Sequence, residues 1–279
     1  MRPGLTWVQI NIQLTSNEHA EDVLAGRLDE ILGRAERAGG LAAWFFVRKQ
    51  GWWRVRFRPT TDESLAGIRA LLAATLRDLR RSMLVSEWVE VIYEPEIAAF
   101  GGSAAMGTAH RLFHHDSREI LRCRAEIRLG RPDRRRELTM LLCSAMMRAA
   151  RLEWYEQGDV WARVRANRPD EVKAPSAARL ADMRRFLAVD TSVGGPVLSG
   201  ELAYATHWFG GFEAAGDELG RMARQGTLTR GLRAVTAYHI LFHWNRLGLP
   251  STLQAALAEA ARAAILGTPA DERPLARAS

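Results

Sequence analysis

The sequence predicts an α+β protein with a ferredoxin-like β-α-β-β-α-β half over residues 1–100 and a mostly helical half over 101–267. The helical half is expected to pack on the open sheet face, followed by a tail without regular structure at 268–279. Three observations carry this reading. Period-two alternation or β-rich composition recurs in four short segments before residue 100, two stretches between them place apolar residues at helical spacing, and helical periodicity takes over after Gly101-Gly102.

Thr6 to Leu14 alternates, with Val8, Ile10, Ile12 and Leu14 on one face and Gln9, Asn11 and Gln13 on the other. Ser16 or Asn17 can cap a helix whose apolar positions are Val23, Leu24, Leu28, Ile31, Leu32 and Ala35, stopped by Gly39-Gly40. Leu41 to Arg48 and Trp52 to Arg58 are β-rich and joined around Gln50-Gly51, a hairpin connection. Asp62 can cap a second helix through Leu65, Ile68, Leu71, Leu72, Leu76 and Leu79, and Trp88 to Tyr93 returns to strand character.

In this arrangement both helices cover one sheet face. Trp53, Val55 and Phe57 face them, which leaves Arg54, Arg56 and Arg58 on the open side. Such a row is either solvated or covered by a partner, with anions or hydrogen bonds meeting the cost of burying charge. Pattern alone leaves both open. Further helices are expected through Ser103 to Leu121, Arg134 to Leu152, Ala178 to Leu187, Ala214 to Arg224, Arg230 to Arg246 and Leu253 to Leu266, with Asp190 to Gly200 as the longest loop.

Composition narrows the class. The 279 residues are 47% hydrophobic and 25% charged, which supports a sizeable core and excludes a disordered chain. No apolar run approaches the roughly 18 residues needed to span a bilayer, and the alternating N-terminus is no signal-peptide core, so a soluble, cytoplasmic protein is expected. Cys123 and Cys143 are the only cysteines and lack a Cys-x-x-Cys spacing, which argues against a disulfide framework, a cysteine-rich zinc site and redox chemistry. The net charge is +7, and all but Lys49 and Lys173 of the 39 basic residues are arginine. Arginine grips carboxylates and phosphates through a planar fork, so an anionic partner is plausible: nucleic acid, acidic peptide or carboxylate-bearing substrate.

No phosphate-binding glycine loop, nucleophile elbow or His-Glu-x-x-His site is present, and three clusters remain. Tyr93-Glu94-Pro95-Glu96, followed by Phe100-Gly101-Gly102, offers two carboxylates for an ion pair with neighbouring arginines or for a substrate amide. His110 and His114 share a helical face, but no third ligand sits at metal spacing beside them, so no metal site is assigned. On one predicted helix His239, His243 and Arg246 fall at i, i+4 and i+7, with Tyr238, Phe242 and Asn245 on the adjoining stripe. A lone histidine in such a helix is ordinarily a satisfied core residue; several clustered polar groups favour a site.

Five ordered motifs resemble the thiopeptide-type bacteriocin biosynthesis family, which is related to the C-terminal glutamate-elimination domain of class I lanthipeptide dehydratases. They are Trp44-Phe45-Phe46-Val47-Arg48-Lys49, Trp53-Arg54-Val55-Arg56-Phe57, Tyr93-Glu94-Pro95-Glu96 through Phe100-Gly101-Gly102, Ala109-His110-Arg111-Leu112-Phe113-His114 with Asp116-Ser117, and Phe242-His243-Trp244-Asn245-Arg246-Leu247-Gly248. The resemblance spans nearly the whole chain and implies action on a ribosomally made, modified peptide, with two competing activities. Pyridine synthases join two dehydroalanines by a formal aza-[4+2] cycloaddition, expelling water and the leader peptide to close a macrocycle. Eliminating members remove glutamate from glutamylated Ser or Thr to leave dehydroalanine or dehydrobutyrine. Eliminating domains commonly carry arginine before the aromatic-Gly-Gly motif, where this chain has Ala99, and the Phe-His-Trp-Asn-Arg ending resembles the thiopeptide branch.

On that resemblance the first reading is a cofactor-independent pyridine synthase. Tyr238 and His243 are the expected proton carriers and Glu94 an orienting or basic carboxylate. Arg54 and Arg56 would bind substrate carbonyls or leader carboxylates, joined by Arg48, Asn245, Arg246 and, from the loop, Ser199. Trp53, Trp208 and Trp244 are candidate flat surfaces for an azole-rich core, with ordinary core packing as the alternative. The expected partner is a leader-bearing precursor peptide with an acidic leader; neither a membrane nor nucleic acid is expected. The alternatives are a glutamate-eliminating lyase, with His243 taking the α-proton, and a non-catalytic peptide- or RNA-binding subunit.

Overall fold

The computed structural model describes residues 6–17, 19–49, 51–192 and 194–267; the expected tail at 268–279 and Gln50 of the hairpin lie outside the described residues. The chain divides into two compact units: Met1–Ala98 with Ser103–Arg135 and Phe242–Gly248, and Ala99–Gly102 with Arg136–Leu241 and Leu249–Ser279. Among the described residues no helix is long and apolar enough to cross a membrane.

In the first unit β1 (Val8–Leu14), α1 (Ala20–Arg37), β2 (Leu41–Lys49), β3 (Trp52–Pro59), α2 (Asp62–Arg81) and β4 (Val85–Ile92) follow the expected order. The strands form an antiparallel sheet ordered β2-β3-β1-β4, the ferredoxin-like arrangement. Thr61, not Asp62, caps α2: its Oγ1 accepts from Ser64 N at 3.1 Å while Ser64 Oγ accepts from Thr61 N at 3.1 Å. At α1, Asn17 Oδ1 accepts from His19 N one residue before the helix.

Register sets the two faces. Gln9 pairs with Arg56 and Asn11 with Arg54, so these four side chains project to the same side. Trp53, Val55 and Phe57 project to the other and are fully buried. The edge of β2 is closed by α3 (Ser103–Arg128), which extends past the expected Leu121. Phe46 N donates to Ser117 Oγ at 3.2 Å. His114 Nδ1 lies 3.2 Å from Trp44 N and 2.9 Å from its carbonyl oxygen, so the ring tethers that edge residue in either tautomer. A sheet edge that would otherwise present unpaired amides is thus satisfied by side chains.

The second unit is helical. Its elements are α4 (Arg135–Ala149), α5 (Trp154–Ala166), α6 (Ala177–Leu187), the single turn α7 (Pro196–Ser199) inside the expected loop, α8 (Thr206–Arg224), α9 (Leu232–Leu247) and α10 (Ser251–Leu266). Residues 242–247 of α9 belong to the first unit. Helix α5 lies outside the expected helices; a Cβ at its Gly158 would collide with Ile265 and Leu266 of α10, so the glycine marks close helix packing. Helix α8 begins eight residues before the expected Ala214, running through Gly210-Gly211. Its Gly216 and Gly220 lie against the carbonyl oxygens of Met146 and Ala150, where a Cβ would overlap backbone.

Candidate active site

On the open sheet face Arg56 is 4% exposed. Its Nε donates to Gln9 Oε1 at 2.6 Å, and its guanidinium lies 4.5 Å over the Tyr93 ring and 5.2 Å over Phe45. Burial pulls its pKa below the ordinary arginine value, opposed by Tyr93 and Glu96. Tyr93 Oη and His110 Nε2 are 2.9 Å apart, and Trp7 packs on His110 and edge-on to Phe45 with centroids at 4.8 and 5.2 Å. Burial, followed by the charges of Arg58 and Arg56, holds His110 down to about 4, so its imidazole is neutral near pH 7. Burial raises the Tyr93 phenol above its ordinary range.

The two glutamates of the 93–96 segment separate. Glu94, expected as the orienting carboxylate, is exposed, whereas Glu96 is half-buried and acts electrostatically on both Arg56 and Tyr93. Strand alternation ends at Ile92, and Ile97 N folds back to the Pro95 carbonyl at 2.8 Å, so two residues of spacing no longer mean one face.

A second group joins α3 to the end of α9, all within the first unit. Asp116, His243 and Arg246 are each 0% exposed. His243 Nδ1 lies 2.9 Å from Asp116 Oδ2, and Arg246 Nε donates to the same oxygen at 2.6 Å. Burial alone would raise the Asp116 carboxyl, but the His243 and Arg246 charges and hydrogen bonds outweigh it and hold the group at about 2. An ionised carboxylate only accepts, so the His243 ring carries a proton on Nδ1 and directs it at Asp116. The Arg246 guanidinium lies 4.4 Å over Phe113, and Arg246 also acts electrostatically on Arg56, so the arginine row and the α9 terminus meet in one unit. Spacing of the α9 side chains singles out His243 and Arg246 as candidates; Asp116, the carboxylate that holds them from another helix, stands in the sequence only as part of the Asp116-Ser117 motif.

Other expected residues stand elsewhere. Arg48 faces the helix-covered side, where Nε donates to Arg246 O at 2.9 Å and Nη1 to Glu21 Oε2 at 2.7 Å, and burial lowers its pKa to about 10. It closes the end of α9 instead of standing in the Arg54–Arg56 row. Trp53, Trp208 and Trp244 are 1%, 2% and 0% exposed, so each is core packing here and none is an open platform. Trp53 stacks on Phe46 at 4.6 Å. Asn245 is half-buried beside Arg246 in the sequence of α9. In the second unit Tyr238 is half-buried, with the Arg230 guanidinium 4.5 Å over its ring and Phe100 edge-on at 6.2 Å. Arg230 also donates to Ala99 O at 3.1 Å. Ser199 is exposed, and its hydroxyl donates to Gly195 O at 2.9 Å.

The chain belongs to the family described as the lantibiotic biosynthesis dehydratase C-terminal region, whose model matches residues 7–265. Among solved structures it is similar to the tRNA-dependent lantibiotic dehydratase MibB from Microbispora sp. 107891, with 22% identity, a TM-score of 0.70 and coverage of 95% of this chain. It spans only 28% of that enzyme's length. Similarity to TsrL (16% identity, TM-score 0.57) covers 94% of this chain and 98% of TsrL. Similarity to TbtD, the pyridine synthase of thiomuracin biosynthesis (12% identity, TM-score 0.54), covers 94% of this chain and 99% of TbtD. At these identities the likeness establishes a shared fold. No curated protein matches in sequence.

Proposed function

We propose that this protein is an enzyme of ribosomal-peptide maturation, a pyridine synthase that joins two dehydroalanines and expels water and the leader. The observation that carries the proposal is the Asp116–His243–Arg246 group at the end of α9, in the same unit as the Arg54–Arg56 face. One dehydroalanine amide must become a 2-azadiene, which needs a proton delivered near its carbonyl oxygen and one removed from nitrogen. His243, oriented by Asp116, is the group suited to carry a proton at Nε2. Arg54 and Arg56 hold peptide carbonyls, so that diene and alkene approach in a reactive geometry; such positioning is worth up to about 7–11 kcal/mol in favourable models. The near-complete coverage of TbtD supports this reading, as does Ala99 before Phe100.

A second reading, glutamate elimination, is favoured by the higher TM-score and identity to MibB. There His243 would take the α-proton while Arg54 or Arg56 held the departing carboxylate. Incubation with a leader-bearing bis-dehydroalanine, thiazole-containing peptide separates the two by mass. Loss of water with release of an intact leader amide supports cyclisation. Inertness there, with glutamate lost from a glutamylated peptide, overturns it in favour of elimination. If Tyr238→Phe and His243→Ala both retain full pathway activity, a non-catalytic peptide-binding role replaces both.

A further inference from the structure

Three buried polar atoms on or beside the open sheet face have no hydrogen-bond partner among the described residues: Arg54 Nε, Arg56 Nη1 and Glu96 Oε2. Leaving such atoms unmet is costly, and folded proteins rarely do so without a ligand or another purpose. Two of the atoms belong to guanidinium donors and the third is a carboxylate acceptor. Arg54 and Arg56, two residues apart on β3, sit about 7 Å from each other along the strand, and Arg54 and Glu96 both act electrostatically on Arg56. Arg56 is held from several sides, by Gln9 at Nε and by the Tyr93 and Phe45 rings, so the direction of its remaining N–H groups is set before any ligand arrives.

A ligand that satisfies all three atoms presents an acceptor to the arginines and a donor to the glutamate. A free carboxylate answers only the first requirement and meets Glu96 as a like charge. A peptide group answers both. We infer that Arg54, Arg56 and Glu96 form a subsite for one backbone amide of the substrate peptide, its carbonyl taken by the guanidinium groups and its N–H by Glu96. The subsite selects a neutral amide over a carboxylate. It rests on the reading above that a peptide is the substrate, and it gives Glu96 the role expected of Glu94.

The test is calorimetric binding to the full chain, so it does not depend on turnover. The probes are a thiazole-containing core-peptide mimic with an amidated C-terminus and a set of analogues each N-methylated at one amide. One N-methylation should weaken binding to the wild type about tenfold, the scale of a hydrogen bond to a charged group, and the same change should have no effect on Glu96→Ala. Glu96→Gln keeps a carbonyl acceptor in the same shape; it should retain the N-methyl penalty and bind a probe truncated to a carboxylate at that position better than the wild type does. Thermal unfolding of both variants reports whether they fold, and if Glu96→Ala does not, the Gln variant carries the test. An N-methyl penalty of equal size in wild type and Glu96→Ala overturns the subsite, as does wild-type preference for the carboxylate probe. Coupling without cyclisation overturns the cyclase reading alone; cyclisation with a penalty indifferent to Glu96 overturns the subsite alone; no binding of any probe overturns both.

Discussion

Gly248 leaves the space that Arg48 fills. A Cβ on Gly248, which has φ of 76°, would run into the Arg48 guanidinium that closes the C-terminus of α9. The left-handed turn and the missing side chain are both required, since the arginine reaches Arg246 O only through that gap.

Gly248→Ala should therefore destabilise the protein by about 1–3 kcal/mol, through backbone strain and displacement of a charged cap. Urea unfolding should register this as a lower midpoint with an unchanged slope. A midpoint equal to wild type would show that Arg48 finds another acceptor at no cost.

Asp116→Asn removes the charge that fixes the His243 proton on Nδ1 while keeping the shape. Turnover should fall about 10²-fold or more, with peptide affinity changed far less. Retained turnover would remove His243 from the chemistry.

The Asp116 carboxyl is held at about 2, below the ordinary 3.8. Its folded-state pKa being the lower, the associated stability is present above about pH 4 and is lost as pH falls toward 2. Stability measured against pH should show this acid loss, and Asp116→Asn should lack it.

His110 titrates at about 4 rather than 6.5, so the unfolded chain takes up its proton first as pH drops. The protein should lose stability between about pH 6.5 and 4, and His110→Gln should flatten that part of the profile. An unchanged slope would assign it to other groups.

In α8, Gly216→Ala places a methyl against the Met146 carbonyl oxygen, where neither backbone can yield without moving a helix. A loss of about 1–3 kcal/mol is expected, while Gly210→Ala, which has open space at its Cβ position, should be neutral or stabilising by a few tenths. Parallel melting curves of the two variants check the contrast.

The sheet and its two helices were legible because period-two and period-3.6 patterns are local and four turns are marked by glycine or polar caps. The arginine row of β3 was legible for the same reason, since Arg54, Arg56 and Arg58 alternate with Trp53, Val55 and Phe57. What stayed hidden depended on distant parts of the chain. Nothing near Gly158 in sequence says that Ile265 and Leu266 fill the space beside it. Arg48 reads as another basic strand residue until its partners, Glu21 and Arg246, are brought to it from far along the chain. Glu94 and Glu96 are equivalent in composition, and the fold-back at Pro95 leaves one solvated and the other half-buried.

Helix α3 carries His114 and Ser117, which seal the border strand, and on the same rod His110, one turn before His114, and Asp116, next to Ser117. The partners of Tyr93 and His243 thus stand on the helix that completes the sheet: a molecule whose β2 margin has come undone also loses them. Amide-exchange protection at Trp44 and Phe46 would thus report whether α3 holds Asp116 against His243, without any substrate being present.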